Sequence, residues 1–252
     1  MRTSRRHRAR AVPESMVVRL SEDTGQDRNL ICFPHAGGNG GSYLPWLPEL
    51  ADRFHVWAAA TRGSGLPTAP ERHWRLLTGR YADDLAAIDG ELVLYGHSMG
   101  TLYAYETARE LRRRGRAVAH LVVSGREAPH RAKSLELPED PVELVRRVAE
   151  RYGGVPREVL AEPELMQVFG ADMRDDFLAH GHYRWHEDAP LDIPVTAVAG
   201  ADDTEVAESG LREWSRHTAG PFASALIPGG HFFTGAQLGR LFELLRSEPP
   251  GH

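Results

Sequence analysis

The sequence Gly96-His97-Ser98-Met99-Gly100 constrains this chain more than any other stretch, because of what lies on either side of it. The apolar run Leu92-Val93-Leu94-Tyr95 precedes it, and residues 101–114 follow with helical spacing. A strand, a sharp turn carrying serine between two glycines, and a helix are typical of a nucleophile elbow, which exposes the serine hydroxyl at the edge of a parallel sheet. The alternative is a glycine-rich turn without chemistry, but the flanking elements favour the elbow.

Short apolar runs alternate with helical patterns over much of the sequence. We predict strands over residues 16–20, 29–33, 54–60, 92–95, 119–125, 193–199 and 222–227, and helices over 43–51, 78–88, 101–114, 206–217 and 237–245. Alternation of this kind predicts an α/β fold with a mostly parallel central sheet flanked by helices. A length of 252 residues fits one large domain of this class.

Residues 127–190 break the alternation and are predicted to be a helical lid inserted over the end of the sheet. Short helical patterns occupy 142–152 and 163–169, and a stretch rich in aromatic residues and histidine follows them. We expect residues 1–14 to be a disordered arm, residues 15–246 to be the domain, and residues 247–252 to be a frayed tail.

Attack by a serine on a carbonyl carbon needs a nucleophile, a base and a carboxylate that orients the base, and this sequence supplies candidates for each. Ser98 follows the elbow strand, Asp202 and Asp203 follow a later strand, and His231 follows the last one. The order serine, acid, histidine is that of α/β-hydrolases. The alternative role for His231 is to cap a loop after two glycines. Spacing alone does not choose between Asp202 and Asp203, which are adjacent.

The glycine-rich turn over residues 34–41 follows the second predicted strand and exposes backbone N–H groups. A phosphate site is the weaker interpretation, because the turn lacks the lysine of a P-loop and the glycine spacing of a dinucleotide fingerprint. We predict an oxyanion hole instead, with the N–H groups of Ala36 and Met99 as its donors. His97 is predicted to be a packed neighbour of the elbow rather than the base.

Composition excludes several classes of function. A formal net charge of −5 argues against nucleic acid as the main partner, and no apolar run is long enough to span a membrane. Cys32 is the single cysteine, so we predict a buried, inert thiol and a cytoplasmic location. The N-terminal Ser4-Arg5-Arg6 precedes no apolar segment, so we expect no export signal. His180, His182 and His186 share no helical face, so a metal site is not predicted.

Several blocks of the chain, spread over residues 29–245, resemble the type II thioesterases that accompany polyketide and nonribosomal peptide synthases. They are Phe33-Pro34-His35-Ala36-Gly37-Gly38 with Trp46, Gly96-His97-Ser98-Met99-Gly100 with Ala104-Tyr105-Glu106-Thr107-Ala108-Arg109, Val123-Ser124-Gly125 with Ala128-Pro129, Arg174-Asp175-Asp176-Phe177, and Gly229-Gly230-His231-Phe232-Phe233. Two positions depart from the family pattern. Thr61-Arg62-Gly63-Ser64-Gly65 stands where Pro-Gly-Arg is usual, and Thr101 replaces an alanine.

The resemblance implies an α/β-hydrolase with a helical lid over an acyl chamber, and it favours Asp203 as the acid. Members of the type II thioesterase family release acyl or aminoacyl groups from the phosphopantetheine arm of carrier proteins. For this chain we therefore expect a transient acyl or peptidyl carrier protein as partner, no cofactor or metal of its own, and a monomer. The alternatives are a carboxylesterase or medium-chain fatty acyl thioesterase acting on free substrates, and a hydrolase fold retained as a binding module.

Overall fold

The computed structural model describes residues 15–61, 70–132 and 136–250, with only the backbone described for residues 70–73. Seven strands form one sheet: β1 (Val17–Arg19), β2 (Arg28–Phe33), β3 (His55–Ala59), β4 (Glu91–His97), β5 (His120–Ser124), β6 (Val195–Gly200) and β7 (Phe222–Ile227). Their order across the sheet is β1-β3-β2-β4-β5-β6-β7, and every neighbouring pair is parallel except β1 with β3. The predicted α/β fold with a mostly parallel sheet is confirmed.

Eight α-helices accompany the strands in the described part of the chain. They are α1 (Leu47–Leu50), α2 (Pro70–Ala86), α3 (Met99–Arg113), α4 (Pro141–Tyr152), α5 (Arg157–Ala161), α6 (Pro163–Gly181), α7 (Glu208–Arg212) and α8 (Ala236–Arg246). Three short 3₁₀ helices cover Gly40–Trp46, Pro129–Arg131 and Glu213–His217. Proline is the first residue of α2, α4 and α6, where its missing N–H costs no hydrogen bond.

Both faces of the sheet are covered, which explains why its central strands are continuously apolar. Leu92 and Leu94 of β4 point into a core shared with α2, α3 and α7, whereas Val93 and Tyr95 point into a second core shared with α8 and the segment around α1. The carboxyl ends of the parallel strands meet at one edge, where His97 pairs with Ser124. The loops that follow these strands therefore lie close to Ser98.

Helices α4, α5 and α6 fill the segment between β5 and β6, and they pack closely on one another and on α2. A Cβ atom added to Gly170 of α6 would lie 2.3 Å from the carbonyl oxygen of Pro141, the first residue of α4. The indole of Trp74 in α2 donates a hydrogen bond of 2.6 Å to the carbonyl of Ala179. The same indole stacks on the ring of Tyr103 at 4.0 Å between centroids.

The structure corrects several predicted helix boundaries. The helix predicted over 78–88 is α2, which begins at Pro70 and ends at Ala86. The helix predicted over 163–169 continues to Gly181, so part of the stretch rich in aromatic residues and histidine is helical. The helix predicted over 206–217 is split between α7 and a 3₁₀ helix, and α5 was not predicted. Helix propensity is a weak guide to where a helix begins and ends, because tertiary packing decides these positions.

The predicted arm over residues 1–14, most of the Thr61-Arg62-Gly63-Ser64-Gly65 loop and the last two residues of the tail lie outside the described residues. None of the helices in the described part of the chain combines the length and the apolar character needed to cross a membrane.

The buried histidine of β5 predicts a pH dependence of stability. His120 is 3% exposed, and its Nε2 lies 2.9 Å from the hydroxyl of Thr196. Burial, with a smaller contribution from the charge of Arg28, lowers the pKa of His120 from 6.5 to about 4. The unfolded chain therefore binds a proton near pH 6.5 that the folded chain refuses, so stability is complete above pH 6.5 and falls as the pH drops toward 4.

We expect His120→Gln, which does not titrate, to remove this contribution. Between pH 7.5 and pH 5 the free energy of unfolding in urea should fall by about 2 kcal/mol more for the wild type than for the variant. If wild type and variant lost equal free energy of unfolding over this range, the pKa of His120 would not differ between the folded and the unfolded chain.

Candidate active site

Ser98 lies between the end of β4 and the start of α3 in a backbone conformation that serine rarely adopts. Its φ of 53° and ψ of −116° make it the one residue other than glycine with positive φ among the described residues. Such a conformation is strained and persists only where the surroundings impose it. Two hydrogen bonds hold it, because Ser98 N–H donates to Ser124 O at 2.8 Å and Thr101 N–H donates to Ser98 O at 3.2 Å.

The two glycines of the elbow allow its elements to touch. A Cβ atom at Gly100 would lie 2.0 Å from the carbonyl oxygen of Phe33 in β2, and a Cβ atom at Gly96 would lie 2.5 Å from the carbonyl oxygen of Gly100. Distances under 3 Å are closer than any side chain tolerates. The start of α3 therefore rests directly on the backbones of β2 and β4, as a nucleophile elbow requires.

Thr101, which departs from the family pattern, adds a further link at the elbow. Its side chain is fully buried. The hydroxyl lies 2.9 Å from Gly96 O and 3.0 Å from Ser124 O, so it ties α3 to β4 and β5. Thr101 therefore makes two hydrogen bonds at the elbow that an alanine would lack.

His231 and Asp203 form a buried pair on the loops after β7 and β6. His231 Nδ1 lies 2.8 Å from Asp203 Oδ2, and both side chains are at most 5% exposed. The other carboxylate oxygen of Asp203 accepts the N–H of Glu205 at 2.9 Å. Asp202 is exposed, so the structure places Asp203, and not Asp202, beside the histidine. Because the carboxylate accepts from Nδ1, Nε2 of His231 is the nitrogen left for another partner.

Two further histidines adjoin this pair, and both are held neutral. His97 is buried with its Nδ1 3.0 Å from Ser124 Oγ, and its ring centroid lies 5.1 Å from that of His231. Burial lowers the pKa of His97 well below its usual value, and burial together with His231 lowers the pKa of His35 to about 4. Neither ring then carries a charge at neutral pH that would oppose a proton on His231.

The glycine-rich loop after β2 is tied to α6. Gly37 N–H donates a hydrogen bond of 2.8 Å to Oδ2 of Asp176, whose side chain is 4% exposed. Ala36 precedes this anchored residue directly. No acceptor for the N–H groups of Ala36 and Met99 is found in the described part of the chain, so both remain available to an oxygen atom of a bound molecule.

A cavity of about 190 Å³ opens beside Ser98 and His231. Arg126, Tyr152 and His180 are among the residues that line it. The ring of Tyr152 lies 4.9 Å from that of His231 between centroids. Sequence reasoning did not select Arg126 or Tyr152. The position of Arg126 directly after Val123-Ser124-Gly125 is the signal that could have indicated it, whereas Tyr152 reaches the site only through the packing of α4.

Cys32, which the sequence also singled out, lies apart from this chemistry. Cys32 is a buried free thiol whose pKa is raised by burial, as predicted for an inert residue. Among the residues that the structure describes, no group of three or more His, Cys, Asp or Glu side chains is arranged to hold a metal ion.

Comparison with known proteins identifies the family. A family model described as "Thioesterase domain" matches residues 28–248. The chain belongs to the thioesterase family. The thioesterase PikA5 of Streptomyces venezuelae is 31% identical to it over 215 residues, which cover 82% of this chain and 76% of PikA5.

Solved thioesterase structures share its fold. The RedJ thioesterase from the prodiginine biosynthetic pathway of Streptomyces coelicolor matches with a TM-score of 0.77 at 31% identity, covering 88% of this chain and 90% of RedJ. The type II thioesterase BorB from the borrelidin biosynthetic cluster matches with a TM-score of 0.78 at 28% identity, covering 94% of this chain and 98% of BorB. The resemblance to type II thioesterases is confirmed, and the protein is an enzyme of the thioesterase class.

The close approach at the elbow predicts opposite effects for two glycine substitutions. Gly100→Ala should lower the free energy of unfolding by about 3 kcal/mol or more, because its Cβ meets backbone that cannot move alone. Gly239→Ala in α8, where no atom lies within 4 Å of the new Cβ, should raise the free energy of unfolding by about 0.5–1 kcal/mol. Urea denaturation measures both free energies of unfolding. A Gly100→Ala variant as stable as the wild type would contradict the close contact between the start of α3 and the backbone of β2.

The bond between Asp176 and Gly37 predicts a role for Asp176 in positioning the glycine-rich loop. Asp176→Ala should lower kcat for thioester hydrolysis about tenfold to hundredfold with little change in KM, because the loop donor would no longer be fixed. Asp176→Asn keeps an acceptor oxygen and should retain most of the activity. Asp175 is exposed, so Asp175→Ala is the matched control and should match the wild type. Equal kcat values for Asp175→Ala and Asp176→Ala would refute this role.

Proposed function

We propose that this chain is a stand-alone type II thioesterase that hydrolyses acyl or aminoacyl thioesters on the phosphopantetheine arm of a carrier protein. The observation that carries the proposal is the buried hydrogen bond of 2.8 Å between His231 and Asp203, on the same cavity as the strained Ser98. In a member of the thioesterase family, these groups supply a nucleophile, a base and a carboxylate that orients the base.

In the first half of the reaction, Ser98 Oγ attacks the thioester carbon and its proton passes to Nε2 of His231. Asp203 holds the Nδ1 proton, fixes the tautomer and stabilises the charged ring that forms. The N–H groups of Ala36 and Met99 donate to the developing oxyanion. The C–S bond then breaks, and the proton on His231 passes to the thiolate that leaves.

The second half of the reaction repeats these steps with water. His231 Nε2 removes a proton from a water molecule, whose oxygen attacks the acyl carbon bound to Ser98. Collapse of the second tetrahedral intermediate returns the proton to Ser98 Oγ and frees the carboxylic acid. No metal or further cofactor of this chain enters either half, since the phosphopantetheine belongs to the carrier protein.

The names of its relatives support a carrier protein as the partner. GrsT of Aneurinibacillus migulanus, a gramicidin S biosynthesis protein, is 29% identical to this chain over 227 residues. YbtT is a type II thioesterase from the yersiniabactin pathway, which combines nonribosomal peptide and polyketide synthases. Intermediates of such pathways are held on carriers as thioesters. A thioesterase that meets them transiently would remove stalled acyl groups or release intermediates.

The experiment that tests this function compares two substrates that share one acyl group. Release of propionate from a propionyl carrier protein should have a much higher kcat/KM than cleavage of p-nitrophenyl propionate, and Ser98→Ala should lower both by at least about 10³-fold. If the simple ester is cleaved and the carrier is left untouched, the enzyme is a carboxylesterase. A third substrate, a medium-chain acyl thioester that is not bound to a carrier, tests the other alternative. Faster hydrolysis of this thioester than of the acyl carrier would indicate a medium-chain fatty acyl thioesterase. Serine-independent release would contradict the mechanism.

The adjacent aspartates offer a matched control for the acid. Asp203→Asn should lower kcat by about 10³- to 10⁴-fold, because the amide cannot hold His231 in the required tautomer. Asp202→Asn alters an exposed neighbour and should leave kcat unchanged. The reverse result would mean that the carboxylate beside His231 does not orient it during the reaction.

A further inference from the structure

The cavity beside Ser98 is more charged than a pocket for a plain hydrocarbon chain needs to be. Three arginines, Arg126, Arg131 and Arg151, line it together with Ser98. Ligand pockets are mainly apolar, with a few placed polar groups that fix orientation and specificity. The partners of these three guanidinium groups therefore indicate what the pocket accepts.

Two of the three arginines are neutralised by carboxylates of the chain itself. Arg131 Nε lies 3.1 Å from Oε2 of Glu127. Arg151 makes a bidentate pair with Glu205, with hydrogen bonds of 2.7 Å and 2.6 Å to its two carboxylate oxygens. These pairs leave little charge for a ligand.

Arg126 has no such partner. No carboxylate lies within salt-bridge distance of its guanidinium among the residues that the structure describes. Burial lowers the pKa of Arg126 to about 10, which still leaves it fully charged at neutral pH. The guanidinium of Arg126 is partly buried, and Glu127, whose charge also acts on it, is already paired with Arg131. A partly desolvated cation without an ion pair of its own favours a bound anion.

His180 holds the guanidinium in place without neutralising it. One N–H group of Arg126 donates to Nε2 of His180. Since a guanidinium only donates, Nε2 carries the lone pair and the neutral ring has its proton on Nδ1. Burial keeps His180 neutral by lowering its pKa well below the usual value. At the other end of the residue, the carbonyl of Arg126 accepts the indole N–H of Trp214 at 2.9 Å. Arg126 is thus fixed at both ends.

We propose that Arg126 is the recognition point for a carboxylate at the far end of the acyl group, so that the preferred substrates are half-thioesters of dicarboxylic acids. This inference rests on the proposed function, because the acyl group is the one attached to Ser98 during turnover. A carboxylate accepts two parallel N–H groups of a guanidinium, which gives both strength and orientation. The carboxylate takes no part in the reaction, in which water replaces the thiol at the acyl carbon.

The test uses carrier proteins loaded with succinyl groups and with their methyl esters, which have the same carbonyl oxygens but no charge. Malonyl and glutaryl carriers, each with its methyl ester, extend the comparison to other chain lengths. For at least one length, the wild type should hydrolyse the charged substrate with a kcat/KM at least about tenfold higher than the methyl ester. In Arg126→Gln, kcat/KM for that charged substrate should fall at least about tenfold, with a change of less than about threefold for its ester.

Two variants control for charge and for folding. Arg126→Lys keeps a cation and should retain part of the preference for the charged substrate. Arg131→Gln removes a paired arginine from the same cavity and should leave the ratio between the two substrates as it is in the wild type.

The outcomes separate this inference from the proposed function. Suppose that the thioester of the methylated substrates is hydrolysed in a Ser98-dependent reaction, with no preference for the charged substrate at any chain length. That result would overturn the role of Arg126 but not the proposed function. Equal losses on both substrates in Arg126→Gln would also overturn it, since a merely structural arginine would act in that way. If neither substrate of any pair is hydrolysed, the proposed function itself fails.

Discussion

The strained backbone of Ser98 is the constraint on which the rest of this structure depends. A serine at a φ of 53° is unfavourable by itself, and it is kept there because α3 begins directly against the backbones of β2 and β4. Hydrogen bonds from the elbow to Ser124 of β5 complete the enclosure. The same contacts that join three central strands therefore fix the position of Ser98.

The helices between β5 and β6 contribute side chains to the site. Asp176 of α6 holds the loop that carries Ala36, and Tyr152 at the end of α4 packs against His231. Few of the side chains around the pocket carry an unpaired charge. His97 and His35 are neutral, Asp203 is the carboxylate in contact with His231, and Arg126 makes no ion pair with a carboxylate in the described part of the chain. The carboxylates of Glu127 and Glu205, which also line the pocket, pair with Arg131 and Arg151 and not with Arg126.

Local patterns in the sequence predicted what depends on neighbours along the chain. The elbow follows from two glycines around Ser98 and its flanking elements, and the sheet follows from buried apolar runs such as β4 and β5. The choice of Asp203 over Asp202 did not follow from spacing, because the turn that directs these adjacent side chains is held partly by contacts distant in sequence. The N–H of Asp202, for example, donates a hydrogen bond to the carbonyl of Gly229. The contacts of Asp176 and Arg126 span 139 and 54 residues of sequence and arise only from packing. Helix ends, as in α2 and α6, depend on the same tertiary contacts.

The reactivity of Ser98 toward a fluorophosphonate tests the central claim most directly, since the reagent needs only an activated serine and no carrier protein. Intact mass and peptide mapping should show a single adduct on the peptide that contains Ser98. The adduct should be absent in Ser98→Ala and should form far more slowly when His231 is replaced by glutamine. An unlabelled protein, or an adduct on another residue, would contradict the account of Ser98 as a nucleophile activated by His231 and Asp203.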